Sequence, residues 1–297
     1  MIASGGVSPA RARPTHGLID QILALDPGRR GIATFFRPGA ALAAARALRR
    51  ARRVLIVTGF TVKPDMPETD GPPGAAVLGR ALRLLGARVR YVTDRVNAPI
   101  VGAALATLGE PPDVVVCPDG KDVARGVLAA ERPTCLVAIE RPGRNHAGDY
   151  LSMRGESVAA WNAPLDALFM VPSRATTIGI GDGGNEIGMG VVRARLRRLG
   201  PLATRIASVV AVDHLVVAGV SNWGGYGVVA ALSRLAGRDL LHTPELERRL
   251  VEACVAAGAS DGVTRRREPT VDGLPIEAHA AVVELLRWAA CSGIIPA

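Results

Sequence analysis

The chain has 297 residues, 48% of them hydrophobic, so it is long enough to bury a large core. Aromatic residues make up only 3%, which leaves alanine, valine, leucine and isoleucine to build that core and favours a parallel sheet covered by helices. The formal net charge is +9, but the tightest basic runs, at 49–53 and 265–267, carry no nucleic-acid-binding motif and no interleaved aromatic residues. We therefore predict that both runs are solvated surface and that no nucleic acid is a partner.

The N-terminal residues, the lengths of the apolar runs and the cysteines give three further expectations. Residues 1–15 lack the apolar centre of a signal peptide and are predicted to be disordered, with one domain over residues 16–297. No apolar run approaches the ~18 residues that would cross a bilayer, which predicts that a membrane is not a partner. The four cysteines form no C-x-x-C pair and nothing requires a disulfide, which disfavours a zinc site and fits a reducing cytoplasm.

From residue 53 onward, short β-branched runs alternate with helical patterns rich in alanine, leucine and arginine. This alternation predicts an α/β fold with a mostly parallel open sheet and helices on both faces, in a single domain. The predicted strands cover residues 53–59, 88–93, 113–117, 135–140, 167–171, 177–181, 208–213 and 214–219. The predicted helices cover residues 40–52, 73–86, 97–108, 121–130, 185–199, 224–236, 244–257 and 276–291. Residues 140–166 show little periodicity, which predicts a lid or an insertion.

Four segments rich in glycine and polar residues follow predicted strands, and ligands of parallel sheets bind beyond the carboxyl ends of the strands. We therefore expect these segments to meet at one edge of the sheet. They read TGFTVKPDMPETDGPPG at 58–74, ERPGRNHAGDYLSMRG at 140–155, GDGGNEIGMG at 181–190 and SNWGGYG at 221–227.

The most unusual stretch is TIGIGDGGNEIGMG, at 177–190, which places two acids among six glycines. Its start matches the dinucleotide pattern G-x-G-x-x-G, but Asp182 stands where a pyrophosphate needs positive potential, and no acid follows about 20 residues on. A plain strand-to-helix turn needs fewer glycines. Gly188 and Gly190 suggest close packing against another backbone or a ligand, since each costs about 1 kcal/mol in a helix.

A third interpretation gives the two acids a ligand. Asp182 and Glu186 are four residues apart and can face one site if a helix begins near Asp182. Carboxylates attract an ammonium group or a metal ion, whereas free amides at a helix start bind a carboxylate. A zwitterionic amino acid carries both charges, so it is the ligand that this loop favours.

Four motifs together resemble the D-glutamate cyclase family: ETDGPPGA at 68–75, ERPGRN with YLSMRG at 140–155, GIGDGGNEIGMG at 179–190 and SNWGGYG at 221–227. The similarity covers about residues 18–295. It implies a lyase that converts D-glutamate to 5-oxo-D-proline with loss of water, acting in amino-acid metabolism.

Ring closure joins the amino group of the substrate to its own γ-carboxyl. The site must therefore orient the substrate, take a proton from the ammonium, stabilise an oxyanion and protonate the departing hydroxide. Asp182 or Glu186 is predicted to be the base, and Asp70 the partner acid. Arg154, in the matching SMRG, is the preferred orienting cation, ahead of Arg141 and Lys63. The remaining predicted substrate-binding residues are Gly71, Gly74, the oxyanion donors Gly183, Gly184 and Asn185, and the carboxylate-binding pair Ser221 and Asn222.

No cofactor is required by the sequence, but Mg²⁺ or Mn²⁺ stays open, with Glu68, Asp70, Asp182 and Glu186 as the candidate ligands. A homo-oligomer also stays open. The alternatives to a cyclase are a dinucleotide-binding oxidoreductase, an amino-acid-binding protein without turnover and a metal-dependent amide hydrolase. The sequence leaves open which carboxylate is the base and which enantiomer is the substrate.

Overall fold

Six parallel strands form the central sheet of the computed structural model, which describes residues 17–117 and 123–291. The strands are β1 (Arg53–Thr58), β4 (Arg88–Thr93), β5 (Val114–Val116), β6 (Cys135–Ile139), β7 (Thr176–Gly181) and β8 (His214–Val217). Two small hairpins pair β2 (Thr61–Lys63) with β3 (Met66–Pro67), and β9 (Thr270–Val271) with β10 (Leu274–Pro275). The tail predicted over residues 1–15 lies outside the described residues.

Eleven α-helices surround the sheet in the described part of the chain. They are α1 (Leu18–Leu23), α2 (Ala40–Leu48), α3 (Pro72–Leu84), α4 (Ala98–Thr107), α5 (Val123–Glu131), α6 (Ala167–Met170), α7 (Arg193–Leu196), α8 (Pro201–Ile206), α9 (Ser221–Ala236), α10 (Pro244–Ala256) and α11 (Ile276–Cys291). Residues 121 and 122 of the helix predicted at 121–130 lie outside the described residues. Within those residues, no helix combines the length and apolar character needed to span a bilayer.

The strand order, β5-β4-β1-β6-β7-β8, explains where a ligand can enter. From β1 the sheet grows outward through β4 and β5, and from β6 it grows the other way through β7 and β8. The direction of winding therefore reverses between β1 and β6, and a crevice opens there beyond the carboxyl ends of the strands. The predicted open α/β single-domain fold is confirmed.

Alternation along β1 shows how the sheet is covered on both faces. Val54 and Ile56 pack into a large core with helices α2, α3, α9, α10 and α11, whereas Leu55 and Val57 pack on the opposite face with Leu165. Successive side chains of a strand point to opposite faces, so a run of four apolar residues must be buried on both. This is why the strand sequences are continuously apolar.

Helix α9 is buried along most of its length, and its glycines explain how it fits. A Cβ on Gly225 would lie 3.0 Å from the carbonyl oxygen of Gly74 in α3, and a Cβ on Gly74 would lie 2.9 Å from Cα of Asn222. The two helices therefore approach with their backbones nearly in contact. The glycines of SNWGGYG and DGPPGA serve this approach, which holds the starts of both helices at one end of the sheet.

Three predicted elements are wrong. The run at 167–171 forms α6 instead of a strand, because a short apolar run suits a buried helix as well as a strand. Residues 208–213 form only an isolated bridge at Ser208, and β8 begins at His214. The helix predicted at 185–199 begins only at Met189, because Gly188 has φ of +105°. It then consists of a 3-10 turn at Met189–Val192, helix α7 and a second 3-10 turn at Arg197–Leu199.

Two buried tyrosines offer a matched test of this packing. The Tyr91 hydroxyl has no hydrogen-bond partner among the described residues, whereas the Tyr226 hydroxyl donates to Oε2 of Glu247 at 2.8 Å. An unsatisfied buried hydroxyl is destabilising, so Tyr91→Phe is expected to raise the free energy of unfolding by about 1 kcal/mol, and Tyr226→Phe to lower it by about 1–3 kcal/mol. Urea denaturation of both variants measures this, and a loss in Tyr91→Phe equal to that in Tyr226→Phe would contradict the packing described.

Candidate active site

A cavity of about 370 Å³ opens at the crevice, beside the ends of β6 and β7. Glu140 directly follows β6 and Asp182 directly follows β7, so both acids stand at carboxyl ends of neighbouring parallel strands. The other lining residues come from loops that are far apart in the chain. The full lining is Gly28, Arg29, Arg30, Phe60, Val62, Glu68, Glu140, Ser152, Met153, Arg154, Asp182, Asn185, Gly262, Val263, Arg265 and Asp272.

Carboxylates dominate the inner part of the cavity. Glu68, Glu140 and Asp182 are each less than 8% exposed, and Asp272 is half-buried beside them. Burial raises the pKa of Glu68, Glu140 and Asp182 well above their ordinary values, and the neighbouring carboxylates raise the pKa of each further. This cluster therefore holds protons at a pH at which exposed carboxyl groups have lost them.

The cation among these acids is Arg30, which our sequence analysis did not select. Its Nη1 lies 2.6 Å from Oδ2 of Asp182 and 2.8 Å from Oδ2 of Asp272. Burial alone would lower the pKa of Arg30, but the two carboxylates raise it well above its ordinary value, so the guanidinium stays charged. Asp26 fixes the loop, because its side chain accepts hydrogen bonds from the backbone amides of Arg30 and Gly31.

Asp272 reaches the cavity on the turn between β9 and β10. Nε2 of His279 lies 3.2 Å from the carbonyl oxygen of Val271, and Nδ1 of His279 accepts a hydrogen bond of 2.9 Å from Nε1 of Trp223. The His279 ring is thus the neutral tautomer that carries its proton on Nε2, and burial lowers the pKa of this histidine. The hairpin that carries Asp272 is therefore tied to α9 and α11.

Glu186 organises the glycine loop from within. One carboxylate oxygen accepts hydrogen bonds from the backbone amides of Asp182 and Gly183, at 2.9 and 2.6 Å, and the other accepts from Gly184 at 2.7 Å. Two of the three amides that we predicted as oxyanion donors, those of Gly183 and Gly184, are therefore bound to a side chain of their own loop. The same contacts occupy the amides of Asp182, Gly183 and Gly184, which a pyrophosphate would need, and this disfavours a dinucleotide at G-x-G-x-x-G.

Asp70 and Asn222 cap each other's helices. Asp70 accepts hydrogen bonds from the backbone amides of Ser221 and Asn222 at the start of α9, at 2.9 and 2.8 Å. Oδ1 of Asn222 accepts from the amides of Gly71 and Gly74 at the start of α3, where two prolines supply no N–H. Burial and Asp272 raise the pKa of Asp70 to about 7, although its hydrogen bonds oppose that rise.

The predicted orienting cations lie in three different settings. Arg141 is fully buried outside the cavity lining, where it donates to Asp94 at 2.7 Å and to the carbonyl oxygens of Gly59 and Ala163. Lys63 is exposed and does not line the cavity. Arg154 does line it, at the outer edge, and donates to the carbonyl oxygen of Val263 at 3.0 Å.

The segment predicted as a lid or insertion forms one side of the cavity mouth. Its residues 152–154 line the cavity together with Gly262, Val263 and Arg265, and Arg265 pairs with Glu156 at 2.8 Å. Two arginines, Arg154 and Arg265, thus edge an opening whose inner wall is acidic. The cavity presents both signs of charge to a small ligand.

Of the residues predicted from the sequence, Glu68, Arg154, Asp182 and Asn185 line the cavity. The others lie behind it and support the surrounding backbone: Asp70, Gly71, Gly74, Arg141, Gly183, Gly184, Glu186, Ser221 and Asn222. Our sequence analysis missed Arg30, Glu140 and Asp272. A signal existed for Glu140, because it is the last residue of the strand predicted at 135–140 and the first of the motif ERPGRN, whereas nothing local distinguishes Arg30 or Asp272.

Two groups of three carboxylates lie close enough together to hold a metal ion. They are Asp70 with Asp182 and Asp272, and Glu140 with Asp182 and Glu186, with their oxygen atoms within 4.8 Å of one another. Such oxygen sets suit Mg²⁺ or Mn²⁺. Because the Arg30 guanidinium lies against both Asp182 and Asp272, a cation in the first group would have to share these oxygens with it.

Comparison with known proteins decides the family. A family model described as D-glutamate cyclase-like, C-terminal, matches residues 19–287. The chain belongs to this family. It is 36% identical over 234 residues to the human protein named D-glutamate cyclase, mitochondrial; the match covers 72% of this chain and 38% of the human protein. The chain therefore matches well under half of the length of this curated relative.

Solved structures resemble the chain more distantly. An exopolyphosphatase-related protein from Bacteroides fragilis gives a TM-score of 0.43 at 9% identity, covering 84% of this chain and 56% of that one. An exonuclease RecJ bound to manganese gives 0.42 at 14% identity, covering 86% of this chain and 52% of that one. Scores this low do not establish a shared fold, so nothing about function follows from them.

The contacts of Glu186 lead to a test of its role. In Glu186→Gln, one amide-accepting oxygen becomes an NH₂ group that cannot accept, so at least one buried backbone N–H loses its partner. We expect the free energy of unfolding to fall by about 1–3 kcal/mol, measured by urea denaturation. The exposed Glu284→Gln on α11 is the control and should be neutral. Unchanged stability in Glu186→Gln would show that the carboxylate does not hold the loop.

Proposed function

We propose that the chain catalyses the intramolecular cyclisation of D-glutamate to 5-oxo-D-proline with loss of water. Membership of the D-glutamate cyclase-like family supports this, as does the identity with the human protein of that name. The observation that carries the proposal is the cavity itself, which combines buried carboxylates, the Arg30 guanidinium and two arginines at its mouth. An amino acid with two carboxylates and one ammonium group matches that distribution of charge.

The main chemical task of the site is to transfer protons from the substrate nitrogen to the departing oxygen. The nitrogen–carbon bond forms, a carbon–oxygen bond of the γ-carboxyl breaks, and water leaves. Two protons leave the ammonium nitrogen and both end on the departing oxygen, so the overall change consumes no external proton. A buried carboxyl group whose surroundings raise its pKa is therefore a suitable relay.

Glu140 is the residue to which we assign this relay. Its carboxylate lines the cavity and accepts one hydrogen bond, of 2.5 Å, from Oγ of Ser221. Its neighbours Glu186, Glu68 and Asp70 all raise its pKa. Asp182 is less suited, because Arg30 and the amide of Ser221 both stabilise its charged form. Glu186 is engaged by three amides, as described above.

Arg30 is positioned to bind the γ-carboxyl and then the oxyanion. Asp182 and Asp272 hold its guanidinium on the inner wall, so little reorganisation is needed when negative charge develops on the substrate. Arg154, and with it Arg265, is assigned to the α-carboxylate at the mouth. Held at both ends, the substrate folds so that its nitrogen meets its own carboxyl carbon, which supplies much of the rate enhancement.

A divalent metal ion is compatible with this site, but none of the proton transfers described above is assigned to it. Asp182 with Asp70 and Asp272 would hold it, which leaves Glu140 to act as the relay, and it would polarise a substrate oxygen as a Lewis acid. We also propose a cytoplasmic location, on the ground that nothing in the chain requires a disulfide.

Incubation with D-glutamate and L-glutamate, followed by chiral chromatography, tests the proposed function. We expect 5-oxo-D-proline from D-glutamate, in amounts above a heat-inactivated control, and none from L-glutamate. Parallel reactions with EDTA, and with EDTA plus excess Mn²⁺, measure any dependence on metal. Failure to form oxoproline from any acidic amino acid would refute the proposal, and calorimetric binding of NAD or NADP would favour an oxidoreductase.

Glu140→Gln separates stability from activity. Because the folded-state pKa of Glu140 is raised, the wild type loses stability as pH rises from its ordinary pKa, about 4.3, through the raised one. Glutamine cannot ionise and keeps the size of the side chain. We expect the variant to have a wild-type Tm near pH 4, a higher Tm at pH 8, and a kcat reduced by about 100-fold or more.

Asp182→Asn provides the comparison. We expect it also to lose turnover while it keeps the fold, but through displacement of Arg30. The residual kcat of Asp182→Asn should depend on pH in the same way as that of the wild type. In Glu140→Gln, the part of the kcat–pH profile that follows the ionisation of Glu140 should be absent. Full activity of Glu140→Gln, or a wild-type pH profile in it, would place the relay elsewhere.

A further inference from the structure

Glu68 differs from the other carboxylates that line the cavity because one of its oxygens is fully buried and has no hydrogen-bond partner among the described residues. It follows β3, lines the cavity and is only 6% exposed, and its Oε1 accepts no hydrogen bond from any described residue. Each of the others has a donor: Glu140 has Ser221, and Asp182 and Asp272 share Arg30. A buried carboxylate oxygen without a donor is destabilising, so this position calls for a positive or proton-bearing ligand.

The surrounding backbone fixes Glu68 in this position. Its amide donates to the carbonyl oxygen of Phe60 at 2.9 Å. On either side of it, the amide of Thr69 donates to the carbonyl oxygen of Ser260 at 3.0 Å, and the amide of Ser260 donates to that of Pro67 at 2.8 Å. Across from it, a Cβ on Gly262 would overlap Oε2 of Glu68. Glycine at 262 therefore leaves space for the carboxylate and holds it against the cavity, with little freedom to turn away.

Glu68, which our sequence analysis named as a candidate metal ligand, lies beside the two groups of three carboxylates that could hold a metal, but among the described residues it belongs to neither. It is close enough to Glu140 to raise the pKa of that residue. A cation held by Glu68 would therefore lie beside the proton relay, which is where the reacting nitrogen must be.

We propose that Glu68 accepts a hydrogen bond from the α-ammonium of the substrate and so restricts the site to free primary amines. The inference rests on the proposed function and deepens it. The ion pair aligns the nitrogen with Glu140 for deprotonation, and it discriminates against dicarboxylates that lack nitrogen and against N-acylated amino acids. Glu68 is thus assigned to recognition, and Glu140 to proton transfer.

Binding of two ligands to matched variants tests this assignment. D-glutamate and glutarate, which lacks only the amino group, are titrated calorimetrically in EDTA. All variants are made in the Glu140→Gln background, because without the relay D-glutamate should bind without reacting. Adding Glu68→Gln should weaken D-glutamate binding by about 10- to 100-fold, the value of a charge-assisted hydrogen bond, and should change glutarate binding by less than about threefold. Adding the exposed Glu252→Gln should change neither.

Each other outcome overturns the inference. Equal losses for both ligands would mean that Glu68 merely shapes the cavity, and an unchanged affinity for D-glutamate would mean that the ammonium binds elsewhere. If Glu68→Gln unfolds, Gly262→Ala is used instead, since it displaces the same carboxylate and should show the same selective loss. The binding result does not depend on turnover, so selective loss in a protein that makes no oxoproline would reject the proposed function and keep this assignment.

Discussion

The structure depends on holding several carboxylates and one guanidinium in a buried crevice. The crevice lies between β1 and β6, where the winding direction of the sheet reverses. Charges of one sign repel strongly when water is excluded, so such a cluster persists only if cations, donors or protons balance it. Arg30 balances Asp182 and Asp272, backbone amides balance Glu186 and Asp70, and protons are left to balance the rest. The raised pKa values of Glu68 and Glu140 express that last part, and those of Asp182 and Asp70 are raised as well, because their partners offset only part of the effect of burial. In the proposed complex the substrate ammonium replaces the proton on Glu68.

The acids accordingly fall into two groups with different tasks. Glu186 and Asp70 face backbone amides and fix the glycine loop and the start of α9. Glu140, Asp182 and Glu68 face the cavity. The glycine loop thus contains one acid of each kind: Glu186 folds the loop, and the fold turns Asp182 toward the ligand.

Periodicity and strand-end reasoning predicted much of this from the sequence. The alternation of apolar runs and helical patterns is local, so the open α/β fold followed from it, and α11 matches its predicted bounds. Asp182 and Glu68 were found because they stand in loops after strands. Arg30 and Asp272 were not found, because the contact between them joins positions 242 residues apart, and no local pattern encodes it. Gly188 was wrongly assigned to a helix. Its positive φ depends on the packing of residues that are distant in the chain, so the local sequence does not reveal it.

The imbalance of charge in the cavity is itself suited to the proposed chemistry. Cyclisation moves two protons between atoms of one substrate and releases a neutral molecule, so the site needs exchangeable protons more than it needs a fixed charge. A cluster of fully compensated ion pairs would hold no such protons, because each carboxylate would keep a low pKa. Leaving Glu140 with a hydroxyl donor and acidic neighbours keeps a proton in reach of the reacting atoms. Burying these carboxylates destabilises the folded protein. The packed core and the paired helix caps offset that loss, and both lie outside the cavity.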